Sequence, residues 1–348
     1  MKTEIKEEDV RKIQFTGRSS YILSLPKAWV KEMNLAAGDA VTVSRTDDSS
    51  LLIMPKTTRV EKKPEALVLV TRDDNPSSLA RKIVSVYLVG YGNIQIQSKE
   101  GKLTPAQRNA VKSLVRTKLV GTEIVDDSSE KITLQILLSL SELSVENAVR
   151  RMYLIASSMH RDSIAALGEL GKDAAEEVIL TDDEVDRFDL YVIRQLKFAI
   201  ESQTALNAVG LKDRRDLLSY RLIIKSLERI ADHASGIAEI VKVMENPLPK
   251  QIFQKIQDFS NYSLETLDNA MAALLKRDYA LADEVVEMAQ KAPRLEREIL
   301  ELADSKFKIE ELSILRVILE DIRRSAEYAG DIAEIVLNLT IENMVVRQ

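Results

Sequence analysis

A 21-residue segment, RLIIKSLERIADHASGIAEIV at positions 221–241, returns 95 positions later as RVILEDIRRSAEYAGDIAEIV at 316–336. Ten of the 21 positions are identical, and the identities fall on an apolar stripe at spacings of three and four. That spacing is helical, and so long a helical repeat near the end of each half implies a C-terminal half built twice. From Ser144 onward only five glycines and three prolines interrupt the pattern. Breaks near 168–171, 210–213, 246–249, 277–279 and 304–308 divide it into six helices in two sets of three, residues 144–242 and 249–340. Connections this short require long antiparallel helices.

The first segment, 8–56, has a different rhythm. VRKIQF at 10–15 and YILSL at 21–25 alternate around a turn, Thr16-Gly17-Arg18-Ser19-Ser20. Pro26 opens a short helix, PKAWVKEMN, where a missing N–H does no harm. The turn LAAGD at 35–39 leads to strands AVTVSR and SLLIMP around Asp47-Asp48-Ser49-Ser50. So short a set of strands, with Leu25, Trp29, Val30, Met33, Leu35, Val41 and Ile53 to cover, needs a second copy.

This order of strand, LPKAW helix, glycine–aspartate turn and strand pair resembles the AbrB/SpoVT swapped-hairpin domain. The resemblance spans nearly the whole segment, from Ser20 through Leu25-Pro26-Lys27-Ala28-Trp29 and Gly38-Asp39 to Pro55. It implies an interlocked homodimer or a higher oligomer, and a head that contacts DNA phosphates through Arg11, Lys12, Arg18 and Lys27. Glu7, Glu8 and Asp9 stand next to those cations and weaken their field.

Residues 59–65, charged and carrying Pro64, form a linker to a third region, 66–140. That region reads strand (ALVLV), helix (SSLARKIVSVYLV), strand (NIQIQ), helix (TPAQRNAVKSLVRTK), strand (GTEIV) and strand (KITLQILL). It has neither a glycine-rich phosphate loop nor a catalytic constellation, so spacing and packing are its expected roles.

At 348 residues with no cysteine, the chain excludes disulfides, thiolate zinc sites and cysteine nucleophiles. Its two histidines, His160 and His233, leave any metal to carboxylates, which suit hard ions such as magnesium, calcium, manganese or iron. No apolar run reaches membrane-spanning length and the N-terminus lacks a signal peptide's apolar core, so the expectation is a cytoplasmic protein with no membrane span. The net charge of −6 splits into +5 for residues 1–140 and −11 for 141–348. Such a split suits an anionic partner for the head and cations for the body.

The acidic residues of the body are patterned. Asp182, Asp186 and Asp189 stand at i, i+4 and i+7, and Glu228, Asp232 and Glu239 at i, i+4 and i+11. Carboxylates one turn apart repel unless a cation relieves them. Either a bound metal or ion pairs with Arg187, Arg194, Lys225 and Arg229 could do so. LERIADHASGIAEIV together with VILTDDEVDRFDLYV is similar to PhoU, the phosphate-uptake regulator family of paired three-helix bundles. Its acidic–xxx–aspartate motif is matched by Asp182-Asp183-Glu184-Val185-Asp186 and Glu228-Arg229-Ile230-Ala231-Asp232.

The resemblance implies a divalent metal or iron held by Asp182, Asp183, Asp186, Glu228 and Asp232. His233 lies about 100° around the helix from Asp232 and reads as structural. The second repeat departs from the pattern. Arg323 stands where Glu228 does and Glu327 where Asp232 does, while the other motif becomes Lys291-Ala292-Pro293-Arg294-Leu295-Glu296. Arg323 and Arg324 can neutralise that acidic stripe internally.

A di-iron bundle enzyme would need Glu-x-x-His, yet Ser157 and Ile230 stand three residues before the histidines. The fold class expected is therefore multidomain: a swapped-hairpin β domain, a small α/β module and all-α tandem three-helix bundles. The joint resemblance implies a non-enzymatic regulator of phosphate uptake, either a DNA-binding transcriptional regulator or an adaptor. An adaptor would dimerise through its head and bind a phosphate transporter ATPase or another signalling partner.

Overall fold

The computed structural model describes residues 9–17, 20–45, 50–56, 64–137, 142–304 and 307–345. The chain divides into two compact units, Met1–Lys62 and Lys63–Gln348. In the first, β1 (Gln14–Thr16) and β2 (Ser20–Ile22) form an antiparallel hairpin, with the Phe15 and Tyr21 rings edge-on at 5.1 Å. The helix α1 (Lys27–Glu32) follows, then a second hairpin of β3 (Val41–Arg45) and β4 (Leu51–Pro55). The hairpins remain two separate two-stranded sheets. Not one described residue between 9 and 56 is buried. The first strand is shorter than its alternation predicts, because Val10 and Ile13 find nothing here to pack against.

The second unit begins with the α/β module: β5 (Glu65–Val70), α2 (Pro76–Val89), β6 (Asn93–Ser98), α3 (Pro105–Thr117), β7 (Thr122–Asp127) and β8 (Lys131–Ile136). The sheet order is β5-β6-β8-β7, with β5 parallel to β6 and the other pairs antiparallel. Alternation in β6 and β8 puts Ile94, Ile96, Ile132 and Leu134 on one face, where they join Leu79, Ile83 and Tyr87 of α2 and Val111 of α3 in one core. Both helices start at proline behind a polar cap. The Asn75 side chain accepts from the Ser77 N–H, and Thr104 and Gln107 form a capping box. At the far end of α2, Gly90 turns left-handed (φ +111°) and stops the helix.

The helical body comprises α4 (Val145–Glu169), α5 (Lys172–Ala199), α6 (Gln203–Ala208), α7 (Asp216–Val243), α8 (Lys250–Lys276), α9 (Tyr279–Ala289), α10 (Ala292–Asp304) and α11 (Ile309–Thr340). The six-helix expectation is amended in two places. A short helix, α6, lies between the second and third helices of the first set. In the second set the middle helix is split into α9 and α10. Pro293 accounts for the split: it supplies no N–H to the turn before it, and its ring crowds the carbonyl four residues back.

One hydrophobic core runs through both repeats, from Val149 and Met152 of α4 through Ile230 and Ile237 of α7 to Ile322 and Ile332 of α11. Each fully buried Ile or Leu contributes about 1.5–3 kcal/mol relative to exposure, so the repeats stabilise one another. Their approach is close: a Cβ at Gly168 would lie 2.3 Å from the Phe253 ring, so a methyl group there would force that ring to move. Among the described residues no helix is long and apolar enough to cross a membrane.

Candidate cation site

Each residue turns an α-helix by 100°, so α5 presents two stripes side by side. Asp182, Asp186 and Asp189 lie along one. Asp183, Asp186, Leu190 and Arg194 lie along the next, and Asp186 sits on the border of both. The first stripe faces Glu228 and Asp232 of α7, whose charges act on Asp182. The second stripe faces the α/β module. Leu190 packs against the module's core, and the buried Arg194 donates to the carbonyls of Tyr87, Gly90 (3.1 Å) and Tyr91 (2.9 Å). Those carbonyls lie at and just past the end of α2, where a cation complements the helix dipole; that of Tyr87 also accepts the Gly90 N–H. The guanidinium also lies over the Tyr87 ring, 4.7 Å from its centroid.

The carboxylate cluster is short of partners on one side. Buried oxygens of Asp182 and Asp189 (Oδ1 in each) have no hydrogen-bond partner. Arg221 stands 3.7 Å from the Asp189 oxygen, beyond hydrogen-bond distance. Burial, then the charges of Asp186 and Asp232, push the Asp182 carboxyl up to about 6. Burial does the same to Asp189, also to about 6, with Glu228 adding to it against the opposing pull of Arg221. Asp232 is raised by burial and then by Glu228. These are the shifts expected of like charges forced together out of water.

On its other side the cluster is already served by lysines. Lys118, just past the end of α3, places its Nζ 2.6 Å from Asp183 Oδ1 and 2.5 Å from Asp186 Oδ2. Burial works against the Lys118 charge, but the two aspartates more than offset it and raise its pKa. Lys225, one turn before Glu228 on α7, pairs with that glutamate.

Of the expected metal ligands, Asp182, Asp186, Glu228 and Asp232 share one neighbourhood between α5 and α7. Asp183 points instead to the module, on Lys118. Among the described residues no three acidic or histidine side chains are arranged to hold a metal ion. The expectation of a converged ligand set is corrected to that extent: Lys118 and Lys225 hold Asp186 and Glu228 in ion pairs of their own. The donor chemistry nonetheless fits a hard cation, since it is oxygen throughout and two buried oxygens lack partners.

The other neutralisers expected on these helices act elsewhere. Arg194 binds α2, and Arg229 lies over the Tyr328 ring at 5.4 Å. Lys118, which does serve the cluster, gave no signal in the sequence, because it lies 68 residues from Asp186 on another element.

Both histidines lie on the seam between the repeats. His233 Nδ1 is 2.7 Å from Asp321 Oδ1 and its ring stacks on Tyr328, as its reading as a structural residue requires. His160 Nε2 is 3.0 Å from Ser260 Oγ. In the second repeat Arg323 reaches Glu296 at 2.7 Å, Glu320 at 3.6 Å and also Glu327, which Arg324 holds at 2.7 Å from its other side. The internal neutralisation expected there is present.

In the head, Arg11 is paired with Asp9 at 2.6 Å, which reduces its value as a phosphate contact. Lys12 precedes β1 and Lys27 opens α1, both exposed. Arg18 lies outside the described residues.

Comparison with known proteins agrees with this division. The PhoU domain model matches residues 149–241 and 256–336, which is half of the chain. A second model, antidote-toxin recognition MazE, bacterial antitoxin, matches residues 14–61. Two proteins named phosphate-specific transport system accessory protein PhoU homolog are similar to the body. The one from Clostridium acetobutylicum is 23% identical over 205 residues, 58% of this chain and 91% of that protein. The one from Synechocystis sp. is 26% identical over 196 residues, 55% of this chain and 85% of that protein. The crystal structure of PhoU from Pseudomonas aeruginosa aligns with a TM-score of 0.50 at 19% identity, covering 57% of this chain and 96% of its own. That likeness is one of fold.

Proposed function

We propose, from the premise that this chain belongs to the PhoU family, that it regulates phosphate uptake in the cytoplasm as a homodimer, with a DNA-contacting head and a cation-responsive helical body. The family membership and the relatives' names support the phosphate role. The head carries the rest of the reading on one observation: none of its described apolar side chains is fully buried, and many stand open to solvent. Phe15 is 59% exposed, Tyr21 74% and Leu51 62%, and no described residue of the segment is buried. A stable single copy does not leave so much of its apolar surface in water without one buried side chain. Two copies exchanging hairpins would bury those faces in each other, as the AbrB/SpoVT resemblance implies, and leave Lys12, Lys27 and Arg18 on the outside for a phosphate backbone.

In the body, Asp182, Asp186, Glu228 and Asp232 would hold a hard divalent or ferric ion. When bound, that ion supplies positive charge. The residues themselves link α5 to α7, and with their repulsion relieved they hold the two helices together.

The DNA arm is tested by fluorescence anisotropy of labelled duplex across a salt series. A phosphate-contacting dimer loses affinity linearly in log salt, by roughly 0.9 per neutralised phosphate. Arg18→Ala with Lys27→Ala should flatten the slope by about one phosphate per substituted cation and weaken binding to all sequences alike. An unchanged slope and affinity would transfer the reading to an adaptor that meets a phosphate transporter ATPase or signalling protein through its body.

A further inference from the structure

We propose that Lys118 is an internal occupant of the carboxylate cluster, so that loading a metal cation there and docking the end of α3 onto α5 oppose one another. The inference rests on the cation reading of the cluster given above. Asp186 is the shared residue. It lies on the α5 stripe that faces Glu228 and Asp232, and on the stripe that carries Asp183, Leu190 and Arg194 to the α/β module. One of its oxygens already receives the Lys118 ammonium, and the same ammonium binds Asp183.

A divalent ion drawing on Asp182, Asp186, Glu228 and Asp232 must take Asp186 from Lys118 or share it, close to an ammonium that Asp183 still holds. Both routes weaken the Lys118 contact. By reciprocity, whatever holds Lys118 in place weakens the cation.

Lys225 differs in a telling way. It pairs with Glu228 from the same helix, so its release breaks nothing between elements. Lys118 arrives from the module, and its release from Asp186 removes one of the ties between the end of α3 and α5, leaving Asp183 and the buried Leu114, Val115 and Leu119 to hold it. The module as a whole stays attached, because Arg194 grips the α2 carbonyls and Leu190 packs in the module core. The response is therefore local: the last turn of α3 and the residues leading to β7 loosen, while α2 does not.

The test uses the full-length dimeric protein with manganese(II) as the probe, its binding followed by electron paramagnetic resonance. Lys118→Gln should bind manganese at least about fivefold more tightly than wild type, the lower end of typical coupling. Lys118→Arg, which keeps the charge, should stay near wild type and controls for damage to the fold. Hydrogen exchange adds a second readout. Manganese should speed exchange at the C-terminal end of α3 in wild type, and leave Lys118→Gln, already loosened there, unchanged. Lys225→Gln should tighten manganese binding without altering the exchange response of α3. Equal manganese affinity in wild type and Lys118→Gln, or slower exchange at α3 on loading, overturns the inference while leaving the cation site standing. Absence of manganese binding in every protein removes the cation site and the inference with it.

Discussion

The two repeats have the same fold and opposite electrostatics. In the first, Asp186 on the middle helix meets Glu228 on the third, and the counter-charges come from outside that pair: Lys118 from another element and Lys225 from a turn away. In the second, the corresponding positions are Glu296 and Arg323, which bind each other directly at 2.7 Å. Asp182 and Asp183, at the leading end of the first motif, become Ala292 and Pro293 in the second. An arginine in place of an acid on the third helix, together with the loss of those two aspartates, turns a crowded carboxylate cluster into one that is neutralised internally. Identity between the copies persists along the apolar stripe, where the shared core demands it. They diverge where the charges face one another, and among the described residues only the first keeps buried carboxylate oxygens without partners.

The largest effect separating the repeats is expected at Arg323, whose side chain is 20% exposed and serves three glutamates. Arg323→Met should destabilise the protein by about 3 kcal/mol in urea unfolding at pH 7, because it strands the largely buried Glu296 carboxylate. Adding Glu296→Gln should recover part of that loss. No loss from Arg323→Met would mean that the second repeat is not internally neutralised.

A similar effect, confined to acid pH, is expected at the seam that joins the repeats. Burial of His160, then Arg161 and His233, depress its pKa to about 4 from an ordinary 6.5. The unfolded chain therefore takes up the proton first as pH falls. The contribution is fully present above pH 6.5 and drains away towards pH 4, by about 3 kcal/mol. Comparing His160→Gln with wild type at each pH cancels the chain's carboxylates. A difference that stays constant between pH 7 and 4 would show that the His160–Ser260 contact is not held neutral, and the seam not dry.

The smallest effect is the sharpest for the comparison, because its sign should reverse between repeats. Asp189 is buried among like charges, so with chelator present Asp189→Asn should stabilise the protein by about 1 kcal/mol at pH 7. Glu327→Gln removes a carboxylate that two arginines hold, and should destabilise by a similar amount. Shifts of the same sign in chemical denaturation would erase the distinction drawn between the two clusters.

Much of this was legible in the sequence, because it is encoded within single elements. Apolar spacing located the helices, proline and polar caps marked the starts of α2 and α3, and alternation marked β6 and β8. Arg323 opposite Glu228 in the repeat alignment pointed to internal neutralisation before any distance was known. The unpaired head followed from too few large apolar residues on strands too short to cover them.

Periodicity states which face an element buries and is silent about what arrives there. That Lys118 reaches Asp183 and Asp186, that Arg194 leaves the acidic stripe to bind the end of α2, and that Asp186 stands on the border of two stripes were decided only in tertiary structure. Long cationic side chains pair with whatever acceptor the packing of apolar faces brings within reach. The sequence by itself determined that carboxylates would be crowded along α5 and α7. Which cation relieves them depended on where the module's core placed the end of α3, with Leu114, Val115 and Leu119 buried around Lys118.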